Sequence, residues 1–171
     1  MKINALRTRG SKAVIATLAV AALGTGVGFA NASPGHQITA KTIADGKFVS
    51  PQSFYQRDLE HVVEQTLSIE PGGNTGWHVH PGIVFLTVTK GEITRYSADG
   101  NREVFKAGQS FIKTGNLPLD GINEGSVPNE LQLTYVLPKD APLRYEREAP
   151  RGWKYPQAAL DAKAAWDAKQ H

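Results

Sequence analysis

The chain of 171 residues contains no cysteine and carries 19 Lys and Arg residues against 16 Asp and Glu residues. Its length suits one domain with one core, and the absence of cysteine excludes a fold held together by disulfides. Four of the basic residues lie within the first 12 positions. The rest of the chain is therefore almost neutral, and its charge gives no support for nucleic-acid binding.

The N-terminal segment 1–32 has the pattern of an export signal. Residues 1–12 are basic without an acidic residue, residues 13–30 carry no charge, and Ala30-Asn31-Ala32 offers the small-x-small pattern that signal peptidase requires. We predict cleavage before Ser33 and a mature chain that is secreted or periplasmic, with no membrane association after cleavage. An uncleaved membrane anchor is the alternative, but three glycines make the uncharged run less hydrophobic.

Over residues 59–147, short runs of β-branched and aromatic residues alternate with glycine turns, whereas residues 33–58 are a polar lead-in with short β-like pieces. Short strands at close, regular spacing are typical of an all-β sandwich or barrel. We predict that Pro71-Gly72-Gly73-Asn74 ends the first strand and that Asp99-Gly100 forms a hairpin. The predicted strands cover residues 62–69, 83–89, 93–97, 104–105, 110–113 and 131–137.

The C-terminal tail, residues 148–171, contains a segment with helical spacing. Pro156 suits the first residue of a helix, and Ala159, Ala162 and Trp166 form a thin apolar stripe. We predict a short helix that docks Trp166 on the barrel. The stretch 139–151, which precedes this helix, alternates both charge signs and is predicted to be solvated surface.

The segment with the most chemical content is residues 72–91, which read GGNTGWHVHPGIVFLTVTKG. Residues two apart on a strand point to the same face. His78 and His80 would therefore project together and could chelate one cation, while Trp77 and Val79 would point the other way.

This segment resembles the first cupin motif, G-x5-H-x-H-x(3 or 4)-E-x6-G. Gly72, His78, His80 and Gly91 stand at matching positions, and Val84 stands where the family has its Glu. The resemblance covers about residues 60 to 145. It implies a jelly-roll β-barrel, here with a short C-terminal helix, and it leaves open a homodimer formed through an edge strand.

Residues 108–123, GQSFIKTGNLPLDGIN, resemble the second cupin motif, G-x5-P-x-G-x2-H-x3-N. Gly108 and Asn123 match with a one-residue adjustment of spacing, and Leu119 falls where the family has its His. In the family, that His and the Glu of the first motif complete a site for iron, manganese or another transition metal. Both positions are apolar in this chain.

The resemblance therefore implies at most a weakly held divalent transition metal on His78 and His80, because a useful site needs about three protein ligands. Gln65, His61 or Asp120 could supply a third ligand. His61 and Gln65 share the strand parity of a cavity-facing residue, and Asp120 adjoins the position of the missing His.

Three functions stay open on the sequence. The first is a binding module that holds a small organic molecule, with His78, His80 and Gln65 as polar anchors. The second is an enzyme (a lyase, isomerase or oxygenase) in which the two histidines are metal ligands or acid/base catalysts. The missing carboxylate argues against the iron-oxygenase branch. The third is a structural or interaction protein with a dead site.

The apolar lining or core of the barrel is predicted to come from one set of large side chains. These are Val84, Phe85, Leu86, Phe111, Leu117, Leu119, Leu131, Leu133 and Tyr135.

Overall fold

The computed structural model describes residues 34–54 and 57–170, with side chains for residues 34–48 and 59–170. The predicted signal peptide and its cleavage point before Ser33 lie outside the described residues. In the described part, no helix is long and apolar enough to cross a membrane.

The described residues form ten strands and one helix. In chain order these are β1 (Pro34–Phe54), β2 (Arg57–Gly76), β3 (His78–Val79), β4 (Ile83–Lys90), β5 (Glu92–Ser97), β6 (Arg102–Lys106), β7 (Ser110–Lys113), β8 (Leu119–Ile122), β9 (Asn129–Leu137), β10 (Tyr145–Glu146) and α1 (Gln157–Asp167).

All the strands belong to one antiparallel sheet that curls into a nearly closed barrel. Its main path runs β10-β3-β8-β2-β9-β4-β7, with β1 paired to β2 and the β5–β6 hairpin attached through β8. The predicted all-β jelly-roll barrel with one short C-terminal helix is confirmed. The Asp99-Gly100 hairpin connects β5 and β6, and Gly100 has the positive φ of 91° that such a turn requires.

Most of the core lies on the inner faces of β2, β4 and β9, and the alternation of side chains is strict along β9. Along β9 every second residue, from Asn129 to Leu137, is buried. This strand pairs with β2 on one side and with β4 on the other. The resulting core cluster contains Val63, Leu67, Ile69, Val84, Val88, Ile93, Leu131, Leu133, Tyr135 and Leu137.

The strand β2 continues through Pro71-Gly72-Gly73-Asn74, so the prediction that this cluster ends the strand is wrong. Gly72 has a φ of 75°, its amide donates to the carbonyl of Asn123 at 2.8 Å, and the Asn123 amide donates to the carbonyl of Gly73 at 3.0 Å. The turn-forming residues bend the strand at a corner of the barrel instead of ending it. This bend transfers β2 from pairing with β9 to pairing with β8, immediately before the two histidines.

The polar lead-in forms the long strand β1, where the sequence indicates only short β-like pieces. It pairs with β2 from Pro34 opposite Gly76 to Phe54 opposite Arg57, with three register shifts. Each shift interrupts the period-two alternation of side chains. The sequence pattern of a single strand is therefore lost even though the backbone pairing continues.

The predicted C-terminal helix is confirmed as α1, with Pro156 as its N-cap rather than its first helical residue. Ala159 is fully buried, while Trp166 is only half-buried. The helix packs on the bend of β2 so closely that a Cβ atom on Gly72 would lie 2.4 Å from the Cβ of Lys163. Gly72 is thus required both by its backbone conformation and by the approach of the helix.

Candidate functional site

A cavity of about 300 Å³ lies inside the barrel, at the lower end of the usual range for small-molecule pockets. Its apolar wall includes seven of the predicted lining residues: Val84, Leu86, Phe111, Leu119, Leu131, Leu133 and Tyr135. The prediction is wrong for Phe85 and Leu117, whose side chains are 43% and 46% exposed. Phe85 alternates with two inward-facing neighbours on β4, and Leu117 lies in the connection between β7 and β8.

His78 and His80 both line this cavity and are only 5% and 4% exposed. Their ring centroids are 4.8 Å apart, with the ring planes nearly perpendicular at 82°. The short strand β3 and the residue after it place them there. The neighbouring Trp77 points to the other face of the sheet, where its ring packs edge-on against Trp153 with the centroids 5.1 Å apart.

Backbone carbonyls fix the tautomer of both imidazoles. The Nδ1 atom of His78 is 2.6 Å from the carbonyl oxygen of Gly76, and that of His80 is 2.6 Å from the carbonyl oxygen of Leu143. A carbonyl can only accept, so each Nδ1 carries a proton and donates it. Each Nε2 therefore keeps a lone pair, and neither Nε2 has a hydrogen-bond partner within the described residues.

Both imidazoles are held in the neutral form. Burial is the main cause, with a further contribution from the nearby charge of Lys113. Together these lower the pKa of His78 well below its usual 6.5 and the pKa of His80 to about 3. The two rings are consequently hydrogen-bond acceptors at Nε2 throughout the neutral pH range.

Lys113, at the end of β7, is a cavity residue that the sequence analysis missed. It is 7% exposed, and its Nζ donates to the carbonyl oxygen of His78 at 3.2 Å. Burial, followed by the charges of Arg144 and Arg95, lowers the pKa of Lys113 to about 6. Strand parity could have found this residue, because Lys113 lies two positions after the inward-facing Phe111.

The segment after β9 also closes the cavity, so the prediction that residues 139–151 are solvated surface is wrong for two of them. Leu143 and Arg144 line the cavity. The Nη1 of Arg144 donates to the carbonyl oxygen of Thr75 at 2.7 Å, and its Nη2 lies 2.5 Å from a carboxylate oxygen of Glu146. No local pattern signals this role, because it depends on the path of the chain back across the mouth of the barrel.

A third basic side chain, Arg95 of β5, faces the cavity between aromatic rings. Its guanidinium lies 5.2 Å from the ring centroid of Phe105 and 4.9 Å from that of Phe111. It also forms an ion pair with Glu103 of the neighbouring strand.

Of the three residues considered as a third metal ligand, the structure brings only Gln65 to the histidine pair. Gln65 lines the cavity, and its amide nitrogen donates to the hydroxyl of Thr42 at 3.1 Å. His61 has the strand parity of a cavity-facing residue, but it lies four residues before Gln65 on β2, which is about 13 Å along an extended strand. Its Nε2 is 2.6 Å from a carboxylate oxygen of Asp45, in a separate surface pocket.

Asp120 is buried but does not line the cavity, because it alternates with Leu119 and Gly121, which do. The hydroxyl of Thr75 donates to its carboxylate at 3.1 Å. Burial raises the pKa of Asp120 to about 6.

These residues do not fit the transition metal that cupins commonly hold. Within the described residues there is no group of three or more His, Cys, Asp or Glu side chains that could hold a metal ion. The cavity offers two neutral imidazoles and one neutral amide, with Val84 and Leu119 at the two remaining ligand positions. A divalent cation would also enter a cavity whose lining includes Arg95, Lys113 and Arg144 and, among the described residues, no carboxylate.

Comparison with known proteins agrees with this barrel. Residues 65–136 match the model of the cupin domain family. A search of curated protein sequences found no match.

Two solved structures share the architecture. An uncharacterized conserved protein with a double-stranded β-helix domain from Klebsiella pneumoniae subsp. pneumoniae MGH 78578 has a TM-score of 0.51 at 21% identity, over 66% of this chain and 85% of that one. The polyketide cyclase RemF from Streptomyces resistomycificus has a TM-score of 0.51 at 14% identity, over 75% of this chain and 87% of that one. At these identities the likeness shows the fold alone. Residues 65–136 match the cupin domain family model, and the structural likeness shows that the chain has the same barrel fold.

Proposed function

We propose that the barrel cavity binds a small organic molecule and that His78 and His80 are its polar anchors. The observation that carries this proposal is the fixed tautomer of the pair, which leaves two acceptor nitrogens at the cavity without partners among the described residues. Two acceptors fixed in apolar walls can orient a ligand that has hydroxyl or N–H donors. The amide of Gln65 adds a third polar group to the same cavity.

Binding is favoured over acid/base catalysis by the electrostatics of the pair. A lyase or isomerase of this kind would need one imidazole to take a proton from the substrate. Burial and the charge of Lys113 disfavour the imidazolium form of both rings. A base whose protonated form is so disfavoured is a poor match to a reaction near pH 7. An oxygenase would need the metal that this donor set does not fit.

Single substitutions of His78 and His80 by Asn test the anchor role. The Asn amide can replace the Nδ1 donor to the backbone carbonyl but has no counterpart of Nε2. Each variant should bind a ligand found by screening about three- to tenfold more weakly, as expected for one lost hydrogen bond. His36→Asn is the matched control, because His36 is exposed on β1.

Isothermal titration calorimetry with each purified variant would measure this effect. Wild-type affinity in both cavity variants would contradict the anchor role. So would an equal loss in the His36→Asn control.

We also propose that the chain is exported and cleaved before Ser33. The basic start, the uncharged run and Ala30-Asn31-Ala32 support this proposal. Intact-mass measurement of the protein recovered from its cell of origin should give a chain of residues 33–171. A mass corresponding to all 171 residues would contradict it.

A further inference from the structure

We infer that the ligand of this cavity is a small organic acid that carries a hydroxyl group, with its carboxylate bound by Lys113 and Arg144 and its hydroxyl donating to the histidine pair. This inference rests on the proposed binding function and specifies the chemical class of the ligand.

The charge of the cavity wall is its first support. Arg95, Lys113 and Arg144 all line the cavity, and no Asp or Glu side chain within the described residues does so. Asp120 does not line the cavity, although its carboxylate accepts a hydrogen bond from the hydroxyl of Thr75, which does. A ligand carboxylate would complement this wall of basic side chains, whereas a cationic ligand would add a like charge.

The three basic side chains differ in whether a carboxylate of the protein already pairs with them. Arg95 is paired with Glu103, and Arg144 is paired with Glu146. Lys113 has no carboxylate partner within the described residues, and one of its three possible donors reaches the His78 carbonyl at 3.2 Å. Lys113 is therefore the cavity side chain with the most unused capacity to bind an anion.

Because Lys113 is buried, its capacity to bind an anion is energetically significant. An ammonium group withdrawn from water without a counter-charge is destabilised, and the lowered pKa of Lys113 reflects this. A carboxylate brought in by a ligand would supply the missing counter-charge, favour uptake of a proton by the Lys113 amine and accept charge-assisted hydrogen bonds from the resulting ammonium. Arg144, at the same cavity, could donate to the same carboxylate.

The histidines specify the second group on the ligand. Their free Nε2 atoms accept hydrogen bonds and cannot donate them, so they offer nothing to a carboxylate. A hydroxyl donor satisfies them, and the apolar wall formed by Phe111, Leu131 and Leu133 suits a hydrocarbon body between the two groups. These complementary requirements favour a hydroxyl-bearing carboxylic acid over a phosphate or a sugar.

The test is a ligand-detected NMR screen of small carboxylic acids, with and without a hydroxyl group, each paired with its neutral primary amide. We expect the purified wild-type chain to bind carboxylic acids in preference to their amides, and hydroxyl-bearing acids most tightly. In Lys113→Met, affinity for the acids should fall about ten- to a hundredfold, as for a lost charge-assisted hydrogen bond, while affinity for the amides should not fall. Lys106→Met is the matched control, because Lys106 is exposed on β6.

Each outcome of the screen has a distinct meaning. Preferential binding of amides, or acid binding that survives Lys113→Met, would overturn the organic-acid inference and leave the proposed binding function standing. Acid binding that is lost equally in Lys106→Met would overturn the role of Lys113. An absence of binding by every acid and every amide would overturn the organic-acid inference and leave the proposed function to be tested with ligands of other classes.

Discussion

The inner and outer faces of the barrel corner around β8 use their polar side chains in opposite ways. On the outer face, Glu124 accepts hydrogen bonds from Thr94, Tyr96 and Arg102. On the inner face, the Nε2 atoms of the histidine pair have no partner within the described residues. The outer groups stabilise the corner by satisfying one another, whereas the inner groups retain the capacity to bind a ligand.

The C-terminal tail completes the outer face. Trp153 packs edge-on against Trp77 and Tyr96, with ring centroids 5.1 Å and 5.0 Å away. Tyr155 accepts from the amide of Asn74 at 3.1 Å and donates to the carbonyl oxygen of Gly72 at 2.7 Å. The tail therefore covers one face of the corner with structural contacts and leaves the cavity on the other face.

The largest expected effect concerns Glu124 on the outer face. Glu124→Ala would leave the hydroxyls of Thr94 and Tyr96 without their acceptor and would remove the ion pair to Arg102. We expect the free energy of unfolding to fall by about 3 kcal/mol, measured by urea denaturation. Glu130→Ala, which removes only an exposed pair to Lys90, should cost less than about 1 kcal/mol. Equal losses in the two variants would contradict a structural role for the outer network.

The corresponding change on the inner face should have the opposite sign. Lys113→Met removes a buried amine whose protonated form has no carboxylate partner within the described residues, and replaces it with an apolar side chain of similar length. We expect the free energy of unfolding at pH 7 to rise by about 1–2 kcal/mol. A loss of stability in thermal and urea denaturation would show that Lys113 is a structural residue, as Glu124 is.

The same lysine should make stability depend on pH above 6. Its folded pKa of about 6 lies below the usual 10.5, so between these values the unfolded chain binds more protons. Stability therefore rises with pH across this window, by at most about 1.4 kcal/mol per pH unit. The groups that act on Lys113 are Arg144, Arg95 and, in the opposite sense, Asp120.

The measurement is the difference in unfolding free energy between the wild type and Lys113→Met at several values from pH 6.5 to pH 9. The gain in unfolding free energy from the substitution should shrink as pH rises toward 10.5. Near that pH Lys113 also loses its proton in the unfolded wild type, so protonation no longer favours the unfolded state. A constant difference would contradict the burial of an uncompensated amine.

At acidic pH, His80 and Asp120 are expected to change the free energy of unfolding in opposite directions, by a smaller amount. His80 has a folded pKa of about 3, below its usual 6.5, so its contribution to stability is lost as pH falls through this range. Asp120 has a folded pKa of about 6, above its usual 3.8, so its contribution grows as pH falls from 6 toward 3.8. Compared with the wild type, His80→Asn should lose less stability between pH 7 and pH 4.5, and Asp120→Asn should lose more.

We expect each difference to be about 1 kcal/mol, measured by urea denaturation at the two pH values. Changes of the same sign in the two variants would show that the faces do not differ in protonation as described.

The barrel and the position of the histidine pair could be predicted because both depend on local periodicity. Short strands separated by glycine turns indicate the barrel, and the i, i+2 spacing of His78 and His80 places both rings on one face. The run of apolar residues in β4 does not identify its inward face, so Phe85 was wrongly assigned. The period-two rule could also have identified Lys113, because it lies two positions after the inward-facing Phe111. It was missed because a lysine in a short strand is usually solvated.

Other features depend on tertiary structure that the local pattern does not contain. The role of Arg144 follows from the path of the chain after β9. The register shifts of β1 hide its length. The bend at Gly72 requires both β8 and α1 as neighbours, and neither contact can be derived from the glycine pair itself.

The central claim is that the two imidazoles present fixed, neutral acceptors to the cavity. Nitrogen-15 NMR of the histidine rings at neutral pH tests it most directly, with His78→Asn and His80→Asn used to assign the signals. We expect both rings to be neutral with the proton on Nδ1, and both Nε2 signals to shift when a hydroxyl-bearing carboxylic acid binds. A proton on Nε2 of either ring, or a charged imidazolium in the free protein, would contradict the proposed anchors.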